Sequence, residues 1–162
     1  VKSHADIMNM ITIEKSSPTS ADSQALIEQL SAELAAITGD SGKSHFNPQD
    51  VSGARAVWAV AKDENNHPVG CGALRPLSDT TAELKRMFSS RAYPGTGAAM
   101  LAWLEEAART MGYRELWLET RKINTRAVQF YLKHGYTQIA NYGPYIGREE
   151  AICLAKRLPD RA

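Results

Sequence analysis

The stretch of the chain best suited to chemistry is Tyr93-Pro94-Gly95-Thr96-Gly97-Ala98-Ala99, which lies between a strand-like run and an amphipathic helix. Glycine and alanine let backbone N–H groups approach a ligand closely. The start of a helix adds unpaired donors and a partial positive charge, and the combination suits a phosphate or pyrophosphate. A plain loop that needs its glycines only for their backbone angles fits the same residues. Two other phosphate-binding patterns fit less well. A P-loop requires GxxxxGK[ST], but Gly42-Lys43-Ser44 has neither a glycine five residues earlier nor a preceding strand. A dinucleotide fingerprint requires GxGxxG, and Met100 occupies its third glycine position. Glu119 ends the next strand, where a ribose-binding acid would stand, yet too little chain remains for a doubly wound domain.

Other chemistries find less support. Cys71 and Cys153 each sit in an apolar, strand-like run without CxxC spacing, and His4, His45, His67 and His134 form no ligand pattern. Two buried, reduced thiols and no metal site are expected. Nineteen basic and eighteen acidic side chains leave a formal charge of +1, which makes no case for a nucleic-acid or membrane-surface binder. Apolar runs are too short for a membrane-spanning helix, and no signal-peptide pattern is visible, so a cytoplasmic location is expected. With 162 residues, 43% of them apolar, the chain suits one globular core.

The elements that would position these residues can be read in order. Residues 1–9 are expected to be an irregular leader outside a single domain over 10–162. Ser20 or Asp22 caps a helix carrying Leu26, Ile27, Leu30, Leu34 and Ile37 at helical spacing, with Gly39 as its stop. A polar loop over Gly39–Asn47 follows. Strands are expected at Ala56–Ala61, Val69–Leu74 and Ala82–Phe88, joined by polar turns. The pattern then alternates: a helix from Gly97 to Met111 stopped by Gly112, a strand over Glu115–Thr120, and a helix from Asn124 to His134 stopped by Gly135. Tyr136–Tyr142 and Ala151–Leu158 read as final strands around Gly143-Pro144-Tyr145. The result is an α+β domain with a mixed sheet, antiparallel early and with a parallel crossover later.

From about Ala56 to Leu158 the chain resembles the GNAT superfamily of N-acetyltransferases. The resemblance rests on Gly70-Cys71-Gly72-Ala73-Leu74-Arg75, Ala82-Glu83-Leu84-Lys85-Arg86-Met87-Phe88, the glycine-rich turn, and Asn124-Thr125-Arg126-Ala127-Val128-Gln129-Phe130-Tyr131 leading to Gly135-Tyr136. One position departs from the family turn, usually Q/R-x-x-G-x-G/A: Pro94 replaces the first side chain. The resemblance implies a mixed, mostly antiparallel central sheet flanked by helices, acetyl-CoA as co-substrate and an amine acceptor. It further implies that the amides of Gly95, Thr96, Gly97, Ala98 and Ala99 hold the pyrophosphate. Met87 and Ser89 would pair with the pantetheine amides as an added strand would, and Asn124 would contact the pantetheine arm, cap its helix, or do both. Tyr131 matches the tyrosine that protonates the leaving sulfur, and Glu83 is the candidate base or water relay, with Glu119 as the other candidate or a binder of the substrate's charge. Backbone donors near Met87 and Phe88 would stabilise negative charge on the reacting oxygen. Tyr145 and Phe46 would line an acceptor pocket for a small-molecule amine, and pairing into a homodimer is common in such proteins. A non-catalytic acyl-CoA-binding or sensor module is the alternative, motivated by Pro94; a nucleotide-dependent oxidoreductase or methyltransferase ranks last.

Overall fold

The computed structural model describes residues 10–43 and 46–160. The leader 1–9 and part of the 39–47 loop therefore lie outside the described residues. In chain order the elements are β1 (Thr12–Lys15), α1 (Ala21–Thr38), a 3-10 turn (Pro48–Val51), β2 (Val57–Lys62), β3 (Pro68–Pro76) and β4 (Thr81–Ser89). There follow α2 (Thr96–Thr110), β5 (Glu115–Arg121), α3 (Thr125–Lys133), β6 (Thr137–Ile139), a 3-10 turn (Gly143–Tyr145) and β7 (Ala151–Arg157).

Local signals start and stop the helices. Ser20 caps α1 by accepting a hydrogen bond from the Ser23 amide at 3.1 Å, and Gly39 closes it in the left-handed region at φ 80°. The hydrophobic strands are buried on both faces, so they read as nearly continuous apolar runs. On β2, Val57, Ala59 and Ala61 join Leu101, Leu104 and Ala108 of α2 in the larger core. Trp58 and Val60 point the other way and pack with Leu26 and Ile27 of α1. The Trp58 indole also donates to Ser23 Oγ at 2.8 Å, which ties α1 to the sheet without leaving a buried polar group unpaired.

The seven strands form one sheet in the order β1-β2-β3-β4-β5-β7-β6. All neighbouring pairs are antiparallel except β4 and β5, which are parallel and joined through α2. That pair is brief. Only Thr81, Ala82 and Glu83 of β4 pair with Glu115, Leu116 and Trp117 of β5. Beyond them β4 stays paired to β3 as far as Ser89, and β5 stays paired to β7 as far as Arg121, so the two strands part. A β-bulge lies at the parting: the β3–β4 register shifts between Cys71 and Ala73, opposite Arg86 with φ 52°. A bulge bends its strand and increases its twist, which carries the end of β4 away from β5.

The sequence reading placed the remaining elements within a residue or two, with two differences. β1 is an additional edge strand, its mostly exposed residues giving no apolar alternation to read. β6 has three residues rather than seven, because the chain leaves the sheet after Ile139 and Tyr142 crosses to stack on Trp117 at 5.1 Å. Both early glycines of the resemblance motif are needed for close approach. A Cβ on Gly70 would lie 3.0 Å from the Phe88 carbonyl oxygen and 3.0 Å from the Thr96 methyl. Gly70→Ala is therefore expected to cost about 1–3 kcal/mol in urea unfolding, because one contact is backbone and neither can turn aside.

Candidate active site

The gap between the parted strands is a cavity of about 510 Å³ that is lined from both faces of the sheet. Alternation along the strands decides which side chains meet in it. Leu84 of β4 and Leu116 and Leu118 of β5 belong to the α2-side core. Glu83 and Lys85, and Trp117, Glu119 and Arg121, therefore face α1. Past the bulge Arg86 faces α1 as well: its guanidinium donates to Ser31 Oγ at 2.6 Å and to the Ser41 carbonyl at 3.1 Å. Lys85 and Arg86 thus share a face that regular alternation would have split between them.

On the α2 side the glycine-rich turn opens α2. Gly95 takes φ 93°, and the turn is pinned by the Tyr93 hydroxyl, which donates to Asp63 at 3.0 Å. Two of the five expected amide donors are spent inside the protein: Thr96 N–H donates to the Tyr93 carbonyl and Ala99 N–H to the Gly95 carbonyl. That narrows the predicted anion cradle to Gly95, Gly97 and Ala98, which line the cavity and take no such backbone bond. They are the donors a helix start leaves unpaired, and they fit a pyrophosphate. Pro94 offers neither a polar side chain nor an N–H, and the Gly95, Gly97 and Ala98 donors do not depend on it.

The β4 edge is also free to bind. Ser90 N–H donates to the Val69 carbonyl at 2.7 Å, and Phe88 pairs with Cys71, so alternation turns the backbone of Met87 and Ser89 toward the gap. Of the two positions expected to supply a donor for negative charge, Met87 faces the cavity and Phe88 faces β3. Asn124 caps α3, accepting from Ala127 N–H at 3.3 Å, and lines the cavity at the same time. Tyr131 lies among the rings of Phe130 and Tyr136, at 5.2 and 5.6 Å. Its hydroxyl takes no partner among the described residues while lining the cavity, and burial pushes its pKa far above the ordinary phenol value. It is a neutral hydroxyl held beside the gap.

The two carboxylates differ sharply. Glu83, expected as a lone carboxylate, is only 2% exposed and is not lone. It accepts from Arg75 at 2.8 Å, from the Tyr142 hydroxyl at 2.5 Å and from the Tyr145 hydroxyl at 3.4 Å, and lies 3.8 Å from Lys85 Nζ. It stands behind the cavity wall, and Lys85 and Tyr145 stand between it and the space. Glu119 lines the cavity and takes no hydrogen bond or ion pair among the described residues. Burial raises its pKa above the usual carboxylate value, against the opposing pull of Arg121 and Lys85. Tyr145 lines the cavity and donates within this network, and Phe46 closes its α1 end, stacked on Trp58 at 5.7 Å. Sequence reasoning missed Arg75, Tyr142 and Arg121. Arg75 and Arg121 lie on strands where alternation could have placed them; Tyr142 could not be read, being 59 residues from its partner.

Among the described residues no group of three or more His, Cys, Asp or Glu side chains could hold a metal. No helix among them is long and apolar enough to cross a membrane.

A parted parallel pair, a bulged β4 and an open amide turn at the start of the crossover helix define an acyltransfer fold. The family model described as "Acetyltransferase (GNAT) family" matches residues 24–136, and the chain belongs to that family. It is 29% identical over 143 residues to an IAA acetyltransferase of Azospirillum brasilense, covering 85% of this chain and 92% of that protein. It is 36% identical over 87 residues to a Xenopus tropicalis protein named as N-acetyltransferase 14, covering 52% of this chain and 42% of that relative's length. A solved structure from Klebsiella pneumoniae described as an acyl-CoA N-acyltransferase superposes with a TM-score of 0.78 at 28% identity, covering 93% of this chain and 99% of that one. A GNAT acetyltransferase of Elizabethkingia anophelis, solved with acetyl-CoA bound, shares the fold at a TM-score of 0.67 and 19% identity over 93% of this chain and 99% of that one.

The environments of the two carboxylates predict opposite effects on stability. Removing Glu83 strands Arg75 and two tyrosine hydroxyls, so Glu83→Ala should lose on the order of 3 kcal/mol in urea unfolding. Glu119 has a raised folded pKa, so its ionisation opposes folding, and stability falls as pH rises through the window between its unfolded and folded values. Glu119→Gln should therefore unfold at higher urea than wild type at pH 7. The difference should vanish near about pH 3, where Glu119 is protonated in the folded and the unfolded chain alike.

Proposed function

We propose that the protein transfers the acetyl group of acetyl-CoA to a primary amine by direct transfer in a ternary complex. The observation that carries this reading is the cavity lined from both faces of the sheet. It has amide donors, a free β4 edge and the Tyr131 hydroxyl at one side and the unpartnered Glu119 at the other. Acetyl-CoA supplies the activated acetyl thioester. Gly95, Gly97 and Ala98 would hold the pyrophosphate, and the Met87 and Ser89 backbone would align the pantetheine arm as a strand edge aligns an added strand. The amine enters from the α1 side, where Glu119 accepts the proton that an ammonium must lose before its nitrogen attacks. A carboxylate raised in pKa is a better base near neutral pH than an ordinary one. The Met87 amide faces the gap and stabilises negative charge developing on the acetyl oxygen. Tyr131, held neutral, gives its proton to the departing sulfur. Glu83 serves in this scheme as a positioning residue that fixes Lys85 and Tyr145, and the base role moves to Glu119.

The choice between an enzyme and a silent acyl-CoA-binding module is made by pairing binding with turnover. A ligand at about a hundred times its dissociation constant stabilises by roughly 2.7 kcal/mol, a rise of several degrees in a domain of this size. Acetyl-CoA and CoA should each produce that rise, and NAD and S-adenosylmethionine should not. Tyr131→Phe should keep the rise and lose roughly 10²–10⁴-fold in kcat for CoA release with an amine acceptor. Glu119→Gln should remove the low-pH limb of the kcat/KM profile. Binding with no turnover of any amine, and no effect of Tyr131→Phe, would favour the silent module; a flat response to both CoA species would end the acetyltransferase reading.

A further inference from the structure

The acceptor end of the cavity holds charges of opposite sign that do not satisfy one another. Glu119 and Arg121 are two residues apart on one face of β5, about 6.7 Å along the strand. They do not pair. Arg121 turns its Nη2 to Asp40 of the 39–47 loop, at 2.9 Å, which fixes the guanidinium and leaves its Nε and Nη1 donors without partners among the described residues. Glu119 is left with no bonded partner, while Arg121, Lys85 and Arg148 all contribute positive potential at its carboxylate, and only Glu83 opposes them. A purely cationic amine must enter against that field. Arg86 also lines the cavity: this side chain is 9% exposed, is bonded only to neutral oxygens, and keeps a buried Nε with no acceptor among the described residues. Leu34 and Ile37 of α1 and Phe46 supply an apolar part of the wall, beside Glu33, Thr38 and Asp40.

We propose that the acceptor is an amino-carboxylate with an apolar body, its ammonium set on Glu119 and its carboxylate on Arg121, with Lys85 facing the pair. This rests on the acetyl-transfer reading and names the class of amine that the site takes. The spacing of Glu119 and Arg121 is one that the two ends of an α-amino acid bridge through a hydrogen bond at each end. Asp40 occupies only Nη2 of Arg121, so the carboxylate takes the donors left over, and a charge-assisted contact to a guanidinium is among the stronger hydrogen bonds a protein makes. The bond changes are those of amide formation. The ammonium gives one proton to Glu119, its nitrogen bonds to the acetyl carbon and the carbon–sulfur bond breaks. The sulfur takes a proton from Tyr131, the second nitrogen proton returns Tyr131 to its neutral form, and Glu119 releases its proton to solvent.

The experiment compares matched acceptors in a CoA-release assay: phenylalanine against 2-phenylethylamine, and leucine against 3-methylbutylamine. Each amino acid should exceed its decarboxylated partner by roughly tenfold or more in kcat/KM, the factor one charged hydrogen bond supplies. Arg121→Gln should erase most of that preference through KM, and Arg121→Lys should keep part of it. Asp40→Asn, which weakens the tie that orients the guanidinium but keeps the guanidinium itself, should lose less of the preference than Arg121→Gln; equal loss in the two variants would assign the effect to the loop and overturn the inference. Equal use of amines with and without a carboxylate would overturn it too, leaving acetyl transfer standing. If acetyl-CoA binds but neither series turns over, calorimetry of the amino acids against the CoA-loaded protein decides, and absence of binding overturns the inference. Failure to bind acetyl-CoA at all would overturn both readings.

Discussion

The parting of β4 from β5 is the constraint on which the site depends, and its origin is local. One extra residue in β4 at Arg86 breaks the ladder with β3, forces a non-glycine residue to positive φ, and turns the end of the strand away from its parallel neighbour. Arginine in the left-handed region carries backbone strain, and strain of this kind persists only where surrounding contacts over-determine it. Those contacts are present. The Cys71 thiol donates to the Arg86 carbonyl, and the guanidinium is bound to Ser31 and Ser41 and stacked over Phe46 at 5.6 Å. The two cysteines that raised the question of metal or redox chemistry are buried packing groups, and one of them helps to hold the bulge.

Because the strands part, backbone groups that a sheet would have consumed are left open along the gap. The same parting puts side chains from opposite faces of the sheet into one space. Tyr131 comes from the α2-side core and Glu119 from the α1 face, and each is kept uncommitted by the protein around it. Groups without partners are costly in a folded chain, and the cost is accepted here at the residues that would move protons. Glu83 shows the opposite arrangement. Arg75, Tyr142 and Tyr145 satisfy it, so it contributes rigidity to the wall and has little capacity left to take a proton from a substrate.

Much of the fold was legible because its signals are short-range. Ser20 and Gly39 bracket α1, Gly112 and Gly135 follow the later helices, and the strands announce themselves as runs of apolar residues. The glycine-rich turn was legible as a helix start with unpaired donors for the same reason, since both its conformation and its donors are local. β1 was not legible, because an exposed edge strand of four residues carries no periodic apolar signal. The length of β6 was not legible either, because a side chain fifty-nine positions away in sequence, Glu83, takes the Tyr142 hydroxyl.

The sequence by itself determined the class of fold, the glycine-rich turn at the start of α2, the tyrosine on α3 and the two carboxylates that are candidates for a base. Which carboxylate is available, and which residues face it, only the tertiary structure decided. Alternation along β4 predicts that Lys85 and Arg86 lie on opposite faces, and the bulge puts both toward α1. The roles of Glu83 and Glu119 were separated by groups distant in the chain, Tyr142 and Tyr145 for one and the absence of any such partner among the described residues for the other. A proton acceptor is defined by its partners and its access to water, and both are properties of the assembled sheet.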